Sequence, residues 1–228
     1  MVKEGKRTGN DMVIDERLST YIDSISWHIP EYLKEVERVA QEKEVPIIRR
    51  SMQSLLIFLV KLRKPKAVLE IGTAVGFSSM LMSEYIDDDT VLDTIEKVPA
   101  RIADAKRNFS KYGKTDRINL LEGDADRILR ELVSAGKKYD FVFMDAAKGQ
   151  YMNFLEPILD LLEKDGMLVT DNVLQDGDII QSRYAVTRRD RTIHGRMREY
   201  LYHLTHSDMF ETVVLPVGDG VTLSIKNK

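Results

Sequence analysis

The sequence predicts an α/β fold: a seven-stranded, mostly parallel sheet with an antiparallel last strand, helices on both faces and a helical cap at the N-terminus. Three observations predict it. Between Ala67 and Thr170 short apolar runs alternate with segments of helical periodicity, and that alternation builds parallel strands with right-handed crossovers. Near the C-terminus, Phe210 to Leu215 and Val221 to Ile225 are two β-rich runs separated by Gly218-Asp219-Gly220, a hairpin connection that reverses the last strand. Upstream of the first strand, apolar residues recur at helical spacing in three blocks.

In chain order, Leu18, Ile22, Ile25 and Ile29 mark the first helix, and Leu33, Val36, Val39 and Ala40 the second after Pro30. Val45-Pro46 breaks the pattern before Ile48, Met52, Leu55, Leu56 and Leu59 resume it as a third. The expected strands are Ala67 to Ile71, Thr90 to Ile95, Ile118 to Leu121, Tyr139 to Met144 and Met167 to Thr170. Between them fall helices at Phe77 to Tyr85, around Ile102 to Tyr112, around Ile128 to Val133 and from Tyr151 to Leu162. A last helix runs from about Ile193 to His206. No repeat or linker divides the chain, so one domain is expected, with a cap over about 14–64 and a core over about 65–228.

Composition narrows the chemistry. The chain has no cysteine, which excludes disulfides, thiolate metal sites and cysteine nucleophiles and fits a reducing compartment. Met1 to Asp15 is polar and no apolar run approaches the roughly 20 residues of a membrane span, so a cytoplasmic protein without a membrane partner is expected. A net charge of −3 argues against a molecule coated in positive charge. One segment departs from that average: Arg183, Arg188, Arg189, Arg191, Arg196 and Arg198 are opposed only by Asp190. Arg49, Arg50, Lys61, Arg63, Lys64 and Lys66 form a second basic region whose position relative to the first stays open.

Two apolar runs end in oxygen donors. Phe141-Val142-Phe143-Met144 is followed by Asp145, with Lys148 three residues on, and Met167 to Thr170 by Asp171-Asn172. Carboxylate and amide oxygens suit a hard divalent cation with positions left for water and substrate. The first strand leads into Glu70-Ile71-Gly72-Thr73-Ala74-Val75-Gly76-Phe77-Ser78, where glycine allows a tight turn and close approach of a ligand. Ala74 and Phe77 stand where a dinucleotide fingerprint needs glycine, and the Walker lysine is missing. Glu96, at the end of the second strand, is positioned to accept from ribose hydroxyls. Asp124 follows the third strand, where it would accept from an adenine amino group or cap the next helix. Together these ends describe a nucleoside site without a phosphate cradle.

Glu70 to Ser78, Glu96, Gly123-Asp124, Asp145 to Lys148 and Asp171-Asn172 together resemble the metal-dependent S-adenosylmethionine O-methyltransferases of the catechol and caffeoyl-CoA type, from about Val45 to the C-terminus. Asp145 to Tyr151, Thr170 to Leu174 and Pro216 to Gly220 resemble more closely the bacterial tRNA 5-hydroxyuridine methyltransferases within that group. The resemblance implies a Rossmann-like class I methyltransferase fold, S-adenosylmethionine as methyl donor and Mg2+ held by Asp145, Asp171 and Asn172. It further implies Lys148 as acceptor of the hydroxyl proton, with Asp145 also facing the cofactor's amino group. Val45, Glu70, Gly72, Ala74, Gly76, Ser78, Glu96 and Asp124 would hold the cofactor, its methionine carboxylate lying against the backbone near Val45 to Ile47 and against Ser78. Ala74 departs from the second glycine of the general methyltransferase loop. Relatives of this group are commonly dimers, so a homodimer is expected.

The acceptor expected from the closer resemblance is 5-hydroxyuridine in the tRNA anticodon loop, with the arginines between 183 and 198 pairing with phosphates. A catechol-like or caffeoyl-CoA-like small molecule is the alternative, since either presents two neighbouring oxygens to one cation. A binding protein that keeps the nucleoside pocket without catalysis is more distant, because Asp145, Lys148, Asp171 and Asn172 are all present.

Overall fold

The structure is a computed structural model that describes residues 16–26, 28–182, 184–187 and 191–228. Three helices come first: α1 (Glu16–Ser24), α2 (Glu31–Glu42) and α3 (Arg50–Arg63). The alternating region is β1 (Ala67–Ile71), α4 (Phe77–Ser83), β2 (Val91–Glu96), α5 (Pro99–Lys111), β3 (Ile118–Glu122), α6 (Ala125–Ser134), β4 (Tyr139–Met144), α7 (Tyr151–Leu161) and β5 (Leu162–Asp171). It ends with α8 (Arg191–His206), β6 (Phe210–Leu215) and β7 (Val221–Lys226). The sheet order is β3-β2-β1-β4-β5-β7-β6. Strands β1 to β5 pair in parallel, while β7 runs antiparallel to both β5 and β6. The hairpin is therefore present as expected, and its second strand lies between β5 and the edge strand β6.

Strand alternation sorts the core into two layers. Val68, Phe141, Phe143 and Val169 face the layer that contains Met52, Leu56, Met80 and Phe109 from α3, α4 and α5. Leu69, Ile71, Val142, Met144 and Leu168 face Leu129, Ile158, Met197 and Leu204 from α6, α7 and α8. Helices α2 and α3 share the first layer, with Leu33, Val36 and Leu56 buried. Strand β5 starts five residues earlier than Met167, because Leu162 already pairs with Tyr139 before a register shift. Among the described residues, no helix is long and apolar enough to cross a membrane.

Several polar groups inside the sheet are paired. Asp93 of β2 is buried and accepts from the Tyr139 hydroxyl at 2.5 Å and from Asn119 Nδ2 at 2.8 Å. Removing one donor leaves a buried carboxylate oxygen short of a partner. Tyr139→Phe is therefore expected to lower unfolding stability by about 1–3 kcal/mol, with its urea midpoint shifted and m unchanged. A shift indistinguishable from zero would show that water replaces the hydroxyl.

Candidate active site

Parallel strands deliver their C-terminal ends to one edge of the sheet, and a cavity of about 650 Å³ opens there. Its floor is the loop after β1. Gly72 has φ 109°, and a Cβ on it would overlap the carbonyl oxygen of Asp145. Glycine thus lets the β1 and β4 loops meet. Ala74 takes a left-handed φ of 47° and donates its N–H to Glu96 Oε2 at 2.9 Å; the strain of about 1–2 kcal/mol is offset by that charge-assisted bond. Gly76 and Ser78 are buried beside it, Ser78 lining the cavity.

Under the loop lies a hydroxyl network. Glu70 is fully buried and Oε2 accepts from Ser79 and, at 2.5 Å, from Thr94, whose hydroxyl also meets Thr73 at 2.6 Å. Burial pushes the Glu70 carboxyl up to about 7, the hydroxyls of Ser78, Ser79 and Thr94 working against burial and the charge of Asp145 adding to it. Its Oε1 has no hydrogen-bond partner among the described residues. Glu70 therefore sits beneath the cavity and is not among the residues lining it.

Glu96 and Asp124 both line the cavity. The Glu96 carboxylate accepts the backbone N–H groups of Ala74, Lys97 and Val98, each at 2.9 Å. Asp124 caps α6 by accepting from the Asp126 N–H at 3.1 Å and pairs with Lys97 at 3.5 Å. The helix-cap alternative for Asp124 is thus present together with a lining position. Pro46, Ile47 and Ile48 line the same cavity, whereas Val45 lines a second one of about 620 Å³ bounded by α1, α2, α3 and the hairpin.

Asp145, Lys148 and Asn172 line the cavity at the ends of β4 and β5, and Asp171 is buried beside them. These strands are adjacent, with Met144 in register with Thr170, so the two aspartates come together. Asn172 has a left-handed φ of 60° and donates its N–H to Asp171 Oδ1 at 2.7 Å. Burial pushes Asp145 up to about 6, against the charges of Lys148 and Arg101. Burial and then the Asp145 charge push Asp171 up to about 7. Asp171 is buried and Asp145 half-buried, and the charge of Asp145 raises Asp171; with the Asn172 amide the two carboxylates form a hard-oxygen set that fits a divalent cation. Among the described residues there is no group of three His, Cys, Asp or Glu side chains that could hold a metal, so two carboxylates and an amide are what the site has to offer.

Three further residues shape this corner. Tyr151 is buried and its hydroxyl donates to the Asp171 carbonyl at 3.1 Å. Arg101, in the first turn of α5, lines the cavity. Asp219 of the hairpin accepts from Lys148 Nζ at 3.1 Å; in the sequence it figures as a turn residue and in the motif Pro216 to Gly220, with no role at the site. The signal was an acid between two glycines in the hairpin whose second strand pairs with β5.

Three of the six arginines lie within the described residues. Arg183, Arg188 and Arg189 lie outside the described residues. Arg191 donates to the Val186 carbonyl at 3.4 Å, Arg196 to that of Gly149 at 2.8 Å and Arg198 to that of Ile179 at 3.4 Å. The second basic region divides: Arg49 lines the cavity, whereas Lys66 pairs with Asp87 and Asp89 at the opposite edge of the sheet.

Similarity to known proteins follows the same architecture. The caffeoyl-CoA O-methyltransferase of Citrus natsudaidai is 30% identical over 201 residues, 86% of this chain and 87% of the relative. Caffeoyl-CoA O-methyltransferase 2 of Petunia hybrida is 29% identical over 200 residues, 85% and 83% of the two chains. The SAH-bound crystal structure of the Podospora anserina methyltransferase PaMTH1 matches with a TM-score of 0.84 and 28% identity over 100% of both chains. The seven-stranded sheet is accordingly the Rossmann-like fold of methyltransferases. The O-methyltransferase family profile matches residues 23–227, and the chain belongs to that family.

Proposed function

We propose that the protein transfers a methyl group from S-adenosylmethionine to one hydroxyl of a catechol-like or caffeoyl-CoA-like small molecule. The observation that carries this is the meeting of Asp145, Asp171, Asn172 and Lys148 at the ends of two adjacent strands, in a chain of the O-methyltransferase family. The caffeoyl-CoA relatives support the acceptor class, and the SAH-bound neighbour supports the methyl donor.

In this reading the donor's nucleoside lies along Glu96 and Asp124 and its methionine part between Ser78 and the segment Pro46 to Ile48. Asp145, Asp171 and Asn172 would hold a divalent cation, Mg2+ by the chemistry of the donor set. When bound, such a cation supplies Lewis acidity that favours the ionised form of a nearby hydroxyl. Lys148 Nζ accepts the hydroxyl proton, so an O–H bond breaks as an N–H bond forms. The acceptor oxygen then attacks the methyl carbon in line with sulfur. The C–S bonding pair leaves with the sulfur, giving a methyl ether and a neutral thioether. The protein's part is to align the two substrates and to hold charge where the oxyanion develops.

The tRNA acceptor shares the paired oxygens, so it belongs in the same assay. Methyl transfer measured by mass spectrometry on a simple catechol, on caffeoyl-CoA and on undermethylated tRNA, each with Mg2+ and with EDTA, is expected to give phenol turnover only with the cation. Faster 5-methoxyuridine formation than phenol methylation would overturn the small-molecule reading in favour of tRNA. No transfer to any of the three would overturn the activity itself.

A further inference from the structure

Asp219 has an environment that a hairpin turn does not need. It is 5% exposed although it lies between β6 and β7. Its backbone is tied to the segment that follows the proposed ligands: Leu174 donates its N–H to the Asp219 carbonyl at 2.9 Å, and Val173 to that of Gly220 at 3.0 Å. Gly220 has φ 83°, and a Cβ there would overlap the Leu174 side chain. The turn is thereby closed down onto the end of β5 and its acid cannot swing out to water.

From this geometry we infer that Asp219 is the positioning residue of Lys148, holding the amine over the oxygen-donor set and accompanying it through proton transfer. The inference rests on the methyl-transfer reading above. A lysine side chain has four rotatable bonds and about 2 kcal/mol of rotamer entropy, so an amine that must take a proton from one hydroxyl needs an anchor. The carboxylate at 3.1 Å supplies it, with the Lys148 side chain 32% and that of Asp219 6% exposed. The charges around the amine come from three elements: Asp145 after β4, Asp171 at the end of β5 and Asp219 on the hairpin. Asp145 and Asp171 stand beside Asn172 as the donor set, while the hydrogen bond of Lys148 goes to Asp219. When the amine takes the proton, the Asp219 side chain is the partner already in hydrogen-bond contact with it. The hydrogen bond to Asp219 also holds the amine off the ligand carboxylates.

The test uses the full-length protein with 13C-labelled lysine, the Lys148 signal being assigned by its loss in Lys148→Met. In Asp219→Asn that signal is expected to move to the position of solvent-exposed lysines, and Asp219→Glu is expected to restore most of the shift. Methyl-transfer kcat in Asp219→Asn should fall about 10- to 100-fold, with acceptor KM and Mn2+ affinity within about twofold of the parent, a split that simple loss of folding would not produce. In a Lys148→Met background the same change should cost nothing further. An unmoved Lys148 signal, full additivity of the two substitutions, or a collapse of Mn2+ affinity in Asp219→Asn would each overturn the assignment. Should the parent protein methylate no acceptor, the proposed activity fails, while the NMR comparison still decides whether Asp219 holds Lys148.

Discussion

Asp145→Asn is expected to reduce methyl transfer by about 10³-fold or more, because it removes several kcal/mol of charge stabilisation at the reacting oxygen. The same change should make the metal-free protein more stable near neutral pH. The wild-type carboxyl is pushed up to about 6, chiefly by burial, and its charge in turn raises Asp171. An amide of the same shape removes both penalties, since at Asp145 burial outweighs the opposing charges of Lys148 and Arg101. Activity and stability therefore move in opposite directions at one atom. Kinetics together with thermal melts in EDTA would check this, and a variant that loses activity and also melts earlier would contradict the account of a preformed cluster in which burial outweighs the opposing charges.

Raising the pH from about 5 to about 8 is expected to lower the Tm of the metal-free protein, and adding Mn2+ should recover more of it at the higher pH. The sign follows from the folded-state values. Asp145 at about 6, Asp171 at about 7 and Glu70 at about 7 all lie above the ordinary carboxylate range. In that window the native state keeps protons that the unfolded chain has lost, so stability falls as pH rises. The loss begins near the unfolded value of about 4 and is complete above the folded values. Carboxyls held low by cationic partners, such as Asp104 beside Lys43 and Arg107, act in the opposite direction but at lower pH. A cation binding the ionised pair relieves the penalty at pH 8, whereas at pH 5 it must first displace protons. The measurement is differential scanning fluorimetry at both pH values with EDTA or Mn2+. A Tm that climbs with pH in EDTA, or a cation effect no larger at pH 8, would count against the paired-carboxylate description.

Much of the site was legible because parallel topology makes a simple promise. Residues at or just after strand ends collect at one edge, so Gly72, Glu96, Asp124 and Asp145 group together from the strand order alone. Asp145 and Asp171 were paired on the same ground, since a right-handed crossover makes consecutive strands neighbours. Glu70 illustrates the limit of that reasoning. It is the penultimate residue of β1, yet strand alternation sends its side chain into the hydroxyl network beneath the loop. The arginines illustrate another: a basic run in sequence does not show which internal groups it meets, and Arg191, Arg196 and Arg198 each donate to a backbone carbonyl within the protein.

The sequence by itself determined the element order, the loop glycines, the carboxylate and amide set and the lysine beside it, because these follow from local periodicity and from residues adjacent to strand ends. Only the tertiary structure decided that β7 enters between β5 and β6. Strand pairing across more than 40 residues depends on which edge remains open after the parallel sheet has formed, and no local pattern encodes that choice. That insertion is what carries Asp219 back to Lys148, turning an ordinary hairpin acid into a buried partner of the proposed base.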